Sequence, residues 1–461
     1  MIIKDLSSLR RFFYRDTTPI WHVCATPYTL LGMDEWVRGF RWVNYSDCFD
    51  SLHPRILVPP QPVANTFPFD TLEAMNNHLL KLPQVRNHIR SFGPGLLTLL
   101  FFDEETESLA RELDLQLIFP PADLRRRIDD KLETTRIADS AGVSSVPNVL
   151  GSVQTYDDLR SLSKHLGPDL VVQTPYGDSG ETTFFISSRD DFDLVQSHIA
   201  AEREVKIMKR IRPRQAAVEG CVTSSGTVVG PLSTEIVGFG ELTPYKGGWA
   251  GNEIAAGAFS DAQRKQASHQ TMLIGNAIQA LGYRGYFEVD WLIDQDTDTL
   301  YLGELNPRLT GLSPLTNLAA FAHADAPLFL FHLAEYRNLK LDFNLQELNQ
   351  RWSDLDENDN WGQLIIKHTE QTDVVLKSAP ASGVWRLNAD GSASFRYPQT
   401  HRRTVDGHNE AFFLRIPEAS DQITFGDDLG ILVVPGRLLT ENGQLTDRTQ
   451  AWIRAIRAHF V

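Results

Sequence analysis

Tyr286-Phe287-Glu288-Val289-Asp290-Trp291-Leu292-Ile293, a turn Asp294-Gln295-Asp296-Thr297-Asp298, then Thr299-Leu300-Tyr301-Leu302-Gly303 and Glu304-Leu305-Asn306-Pro307-Arg308 form the stretch that decides how this chain is read. Aromatic and aliphatic runs on either side of an Asp-rich turn predict an antiparallel strand pair. Side chains alternate faces along a strand, so Glu304 and Asn306 present oxygens to one side, and Glu288 and Asp290 share a face of the first strand. Asp290 adds a carboxylate from the paired strand. Magnesium takes oxygen ligands, few of them from protein, and completes its shell with water and substrate phosphates. Arg308 follows two positions after Asn306, where a planar cation steadies charge on a transferred phosphoryl group. Taken alone, the same hairpin also suits a solvated turn with scattered polar residues.

A second set lies upstream. Asp130-Lys131 opens a predicted helix that stops at Ala141-Gly142, with Gly142 where a helix C-terminus calls for glycine, and Val143-Ser144-Ser145-Val146-Pro147 follows. The strand Leu170-Val171-Val172-Gln173 and the strand Thr183-Phe184-Phe185-Ile186 bracket a loop, Pro175-Tyr176-Gly177-Asp178-Ser179-Gly180-Glu181-Thr182. Such a loop brings backbone N–H groups and hydroxyls close to phosphate oxygens with no Cβ in the way. The chain carries neither GxxxxGK[ST] nor GxGxxG, so a P-loop and a dinucleotide fingerprint are both absent.

In their order these elements resemble the ATP-grasp enzymes, and among them the carboxylate–amine ligases and biotin carboxylase-like members. The resemblance covers roughly residues 125 to 320. It implies an ATP-grasp fold with α/β and α+β units and a need for ATP and Mg2+ (or Mn2+). It further implies that Lys131 contacts ATP phosphate and that the loop with Gly177, Ser179, Gly180 and Thr182 closes over the β- and γ-phosphates. Met208-Lys209-Arg210-Ile211 falls where the family has its adenine hinge, so Met208, Lys209 and Ile211 are expected to line the nucleotide. Asp290, Glu304 and Asn306 would hold the metal, and Arg308 would act as the catalytic cation. Two positions depart from the family pattern. A second lysine is common where Gln173 stands, whose neutral amide is still expected to bond ATP, and a glutamate often opens the hinge where Met208 stands.

Gly240 to Glu253 combines glycines with Lys246, Trp249, Asn252 and Glu253. This composition suits a loop that shapes a pocket, and equally a surface loop with an incidental tryptophan. On the first reading Lys246 binds a carboxylate, Glu253 an amine, and Trp249 lines the acceptor site. The 13 histidines show no zinc spacing, and Ser179 has no recognisable triad partner. Arg125-Arg126-Arg127 reads as a solvated helix face. Arg210, Arg212 and Arg214 alternate along a strand-like stretch, one side of which meets phosphate or water.

The bulk numbers set limits. At 461 residues the chain needs several cores. Apolar residues at 42% and charged residues at 22% are ordinary globular values. No apolar run approaches the roughly 20 residues that cross a bilayer. The N-terminus has no secretory pattern, and three widely spaced cysteines suit a reducing, cytoplasmic setting. A net charge of -15 disfavours nucleic acid as a partner. Four units are expected: an open α/β domain over 1–125, a lid over 126–205, an antiparallel metal and nucleotide subdomain over 206–365, and a strand-rich C-terminal segment over 366–461. The predicted function is amide or peptide bond formation between a small-molecule carboxylate and an amine (an amino acid or peptide) through an acyl phosphate. Two alternatives stay open: a biotin carboxylase-like carboxylating enzyme, although the chain has no biotin-accepting Met-Lys-Met segment, and a non-catalytic nucleotide-binding protein. A homodimer is left open.

Overall fold

The computed structural model describes residues 1–60, 69–177, 182–355 and 360–461. Its N-terminal unit is a five-stranded parallel sheet in the spatial order Ile56–Leu57, Phe40–Asn44, Ile20–Cys24, Gly95–Leu99, Leu115–Leu117. The central strands are buried along their whole length, as parallel strands covered on both faces must be. Helices Leu72–Lys81 and Glu104–Glu112 start where Thr71 and Asp103 accept backbone N–H bonds from the third residue on.

The lid is a four-stranded antiparallel sheet in the order Asn148–Gly151, Val205–Lys209, Leu170–Gln173, Thr183–Ile186. Val172, Leu170, Val205 and Ile207 point to one face, where Leu159 and Phe192 of helices Tyr156–Leu162 and Arg189–Ala201 close a small core. Because successive strand residues alternate, Gln173, Lys206 and Met208 emerge on the opposite face.

The third sheet is the largest among the described residues. From the acidic hairpin at its edge it runs Thr299–Asn306, Gly285–Asp294, Pro213–Thr223, Ser233–Val237, Trp249–Ile254, Trp361–Lys367, Asp428–Pro435, Glu410–Arg415, Gly383–Leu387, Ala393–Pro398. One face of its first strands buries Phe287, Val289 and Trp291 against helix Asp261–Ala280. The other face joins the core of the N-terminal unit through Tyr286, Ala217 and helix Phe329–Tyr336.

Four details differ from the sequence reading. Helix Lys131–Ala141 packs its Ile137 and Ala138 against the third sheet's core, so it belongs there and not to the lid. Strand Val205–Lys209 extends the lid past 205. Strand Trp361–Lys367 runs through the boundary expected at 365, and the C-terminal strands continue the same sheet. Finally, the stretch read as a long loop through Glu253 turns into strand Trp249–Ile254, because Glu253 and Asn252 pair with Thr234 and Glu235. Among the described residues no helix is long and apolar enough to cross a membrane.

Candidate active site

The register of the hairpin places Asn306 opposite Glu288 and Glu304 opposite Asp290, with an irregularity just after Asp290. All four side chains therefore share the face that looks toward the N-terminal unit. The Asn306 amide donates to Glu288 Oε2 and to Asp290 Oδ2, each at 3.1 Å. The next strand sets Glu219 beside Glu288, and Thr310 Oγ1 lies 2.9 Å from Glu288 Oε1 and 3.1 Å from Glu219 Oε1. Glu235, from strand Ser233–Val237, completes the acidic wall. Burial, and then mutual repulsion, hold the carboxyls of Glu288, Asp290 and Glu235 well above the usual carboxylate range. Burial lifts Glu219 to about 7, against hydrogen bonds from Ser313, Tyr286 and Thr310.

Lys131 joins this wall to the lid. Its Nζ donates to Glu304 Oε1 at 2.9 Å and to the Gly177 carbonyl at 2.6 Å, and its backbone N–H donates to Pro175 at 2.9 Å. Asp130 caps the helix by accepting from Leu132 and Glu133, which fixes where Lys131 leaves the first turn. Gly177 has φ +144°, and a Cβ there would stand 2.2 Å from Thr182 Oγ1. Only glycine turns the hairpin back at that point. Gln173 donates its amide to Thr183 Oγ1 at 3.2 Å. Of the hinge residues, Met208 is buried on the cleft side, Lys209 is exposed, and Ile211 is half-buried beyond the strand end. Ser179 and Gly180 lie outside the described residues. The Arg308 guanidinium sits 4.8 Å from the Phe101 ring of the N-terminal unit and lowers the carboxyls of Glu288 and Asp290 by its charge.

The three residues suggested for a substrate do not come together. Trp249 lines a cavity of about 1100 Å³. Lys246 is exposed and lies outside its lining. Glu253 is buried and bonded within the protein: it accepts from Arg437 Nε at 3.0 Å, from Leu439 N at 2.9 Å and from Leu438 N. It pins the C-terminal strand turn and does not reach a ligand.

The cavity opens at the carboxyl ends of the parallel strands, beside Cys24, Tyr45 and Leu100, where open α/β sheets bind ligands. Its far wall carries Asp421, Asp427 and Asp428, with Lys367 paired to Asp428. Tyr28 lies between the cavity and the acidic wall. It lines the cavity, donates to the Gly311 carbonyl at 2.7 Å, and has its phenol pushed up by burial and by Asp428, Glu219 and Glu288.

Sequence reading missed Glu288, Glu235 and Lys206 as members of this cleft. Glu288 was visible as the same-face neighbour of Asp290. Glu235 and Lys206 reach the cleft only through strand pairings that local pattern does not encode. The Arg125-Arg126-Arg127 run also needs correction. Arg125 is buried, donates to the Phe102 carbonyl at 3.2 Å and covers the Phe102 ring, while Arg126 and Arg127 stay exposed.

The chain resembles known proteins in two ways. No protein-family model matches it. Methylcrotonoyl-CoA carboxylase subunit alpha of Arabidopsis thaliana is 25% identical over 230 residues, 47% of this chain and 30% of that protein. The propionyl-CoA carboxylase alpha chain of Ruegeria pomeroyi is 24% identical over 229 residues, 47% of this chain and 32% of that protein. The chain thus spans about a third of the length of these relatives. Among solved structures, biotin carboxylase of Campylobacter jejuni superposes with a TM-score of 0.64 at 12% identity, covering 96% of this chain and 92% of that one. The ADP complex of N5-carboxyaminoimidazole ribonucleotide synthetase gives 0.57 at 13% identity, with 96% and 98% covered. The fold is the ATP-grasp fold.

Proposed function

We propose that this chain is an ATP- and magnesium-dependent ligase that activates a carboxylate as an acyl phosphate and passes it to an amine. One observation carries the reading: on an ATP-grasp fold, Lys131 spans from the glycine hairpin to Glu304 of a carboxylate-and-amide hairpin. The donor set suits magnesium. Glu235, Glu288, Asp290 and Glu304 crowd one cleft, and Glu304 is ion-paired to Lys131. Among the described residues no three His, Cys, Asp or Glu side chains form a metal cage unaided, so a cation here needs further oxygens, as magnesium does when it bridges protein and nucleotide phosphates. Glu304, Asn306 and Glu288 or Asp290 would hold it. Bound magnesium neutralises phosphate charge.

Lys131 and the Gly177 hairpin bind the triphosphate and exclude water. A carboxylate oxygen of the acid attacks the γ-phosphorus, the bond to the β-phosphate oxygen breaks, and ADP leaves. Arg308 steadies the charge of the resulting acyl phosphate. The amine nitrogen attacks the acyl carbon, the carbon–oxygen bond to phosphate breaks, and nitrogen gives up a proton. The acid-lined cavity beyond Tyr28 supports an amine acceptor, since its Asp421, Asp427 and Asp428 wall attracts an ammonium.

A second reading shares the first half of this chemistry and is favoured by the names of the relatives: bicarbonate in place of the organic acid, giving carboxylation of a nitrogen. The test is ADP and phosphate release from MgATP across pairs of carboxylic acids and amines, with and without labelled bicarbonate. The ligase reading expects release that needs both an acid and an amine. Release that needs bicarbonate, with label carried into product, replaces it with carboxylation. ATP binding without turnover under any pairing removes both.

A further inference from the structure

We propose that Lys206 is a second phosphate-binding cation of this cleft, reaching ATP from the strand beside Gln173; this rests on the ATP-dependent reading above. Lys206 stands directly opposite Gln173 in the lid sheet, and cross-strand partners emerge on the same face. That face is not the lid's own core, because the alternate residues Val205, Ile207 and Val172 fill it. It is the face turned to Glu304 and Lys131, whose charges act on the Lys206 ammonium. Gln173 itself is neutral, and its amide is taken up by Thr183.

Lys206 is 1% exposed, yet no hydrogen bond or ion pair reaches it among the described residues. A buried charge without a partner is costly and is kept in proteins mainly where something pairs with it. Burial lowers the Lys206 ammonium to about 8 even with Glu304 and Asp139 opposing that shift. The chemistry of this face suits an anion. Glu304 already pairs with Lys131 at 2.9 Å, so the group that suits the two ammoniums of this face is a chain of phosphate oxygens. A lysine on the neighbouring strand thereby supplies the positive charge that Gln173 does not.

The experiment is titration of MgATP into the full chain and into Lys206→Met, Lys206→Arg and Lys206→Met with Gln173→Lys. Lys206→Met is expected to weaken MgATP binding about 10- to 100-fold, the loss typical of a charge-assisted hydrogen bond. Its melting temperature should hold or rise, because an apolar side chain of similar length replaces an unpaired ammonium. Lys206→Arg should keep most of the affinity, and Gln173→Lys should restore about tenfold to the methionine variant, since both positions share the face. Lys206→Met binding MgATP like wild type overturns the assignment alone. A fall in melting temperature with unchanged affinity of the folded protein does the same, by making Lys206 a packing residue. A wild-type chain that does not bind MgATP removes the ligase reading and this assignment together.

Discussion

Glu288 and Asp290 stand two positions apart on one strand, and their register partners separate them. Asp290 faces Glu304, whereas Glu288 faces Asn306 and touches Thr310. The spacing that singled out Asp290 could not rank the two, because both point the same way and only the pairing with the second strand tells which carboxylate meets the amide. Glu288→Gln is expected to lower the rate of ADP release about 10²- to 10³-fold, the scale for losing one fixed charge-stabilising group. It should leave the melting temperature level or higher, since one of several mutually repelling buried acids becomes neutral. The check is a steady-state assay beside a thermal melt; full activity in the variant would remove Glu288 from the site. Much of the acidic hairpin was legible from single residues. Asp290, Glu304 and Asn306 converge where the strand period placed them, and Lys131 joins Glu304 as the family resemblance implied. Arg125 was misread because a run of three arginines carries no sign of which one turns inward to cover Phe102.

Elements with strong local chemistry were legible for the same reason. Asp130 as a helix start, and Gly142 at φ +70° as a stop, are decided by a few neighbouring residues. The C-terminal strands were found but not placed, since nothing nearby in sequence says that Trp361–Lys367 pairs with Trp249–Ile254. Glu253 shows the consequence. A carboxylate in a glycine-rich segment read as a ligand for an amine, and it is instead the anchor of the turn at Arg437, Leu438 and Leu439. Glu253→Ala is expected to cost about 2–4 kcal/mol of stability, because it leaves two buried backbone N–H groups and the half-buried Arg437 without their acceptor. Urea unfolding measures this. A substrate-binding role predicts the opposite outcome, a raised KM with unchanged unfolding.

At the scale of the whole molecule, His332 ties the units together, and through it stability becomes dependent on pH. Its ring stacks on Phe329 at 4.8 Å, meets Phe119 from the end of the N-terminal unit at 4.7 Å, and accepts the Tyr286 N–H at 3.0 Å on Nδ1. Burial holds the imidazole down at about 3, against about 6.5 in an unfolded chain. Between those two values the unfolded chain binds the proton and the folded chain does not, so this group's share of stability is full above 6.5 and shrinks as pH falls. Buried acids raised in pKa, such as Glu35 at about 7, act in the opposite sense over pH 4.5 to 7, so the net curve alone does not isolate the histidine. The comparison with His332→Gln does, because glutamine keeps an acceptor for Tyr286 and cannot charge. At pH 7 wild type is expected to be the more stable of the two, by the better stacking of its ring. By pH 5 that advantage should shrink by about 2 kcal/mol, at about 1.4 kcal/mol per pH unit below 6.5. Paired urea melts at the two pH values read it directly, and a gap that stays constant would show that His332 titrates in the folded protein as it does in the unfolded chain.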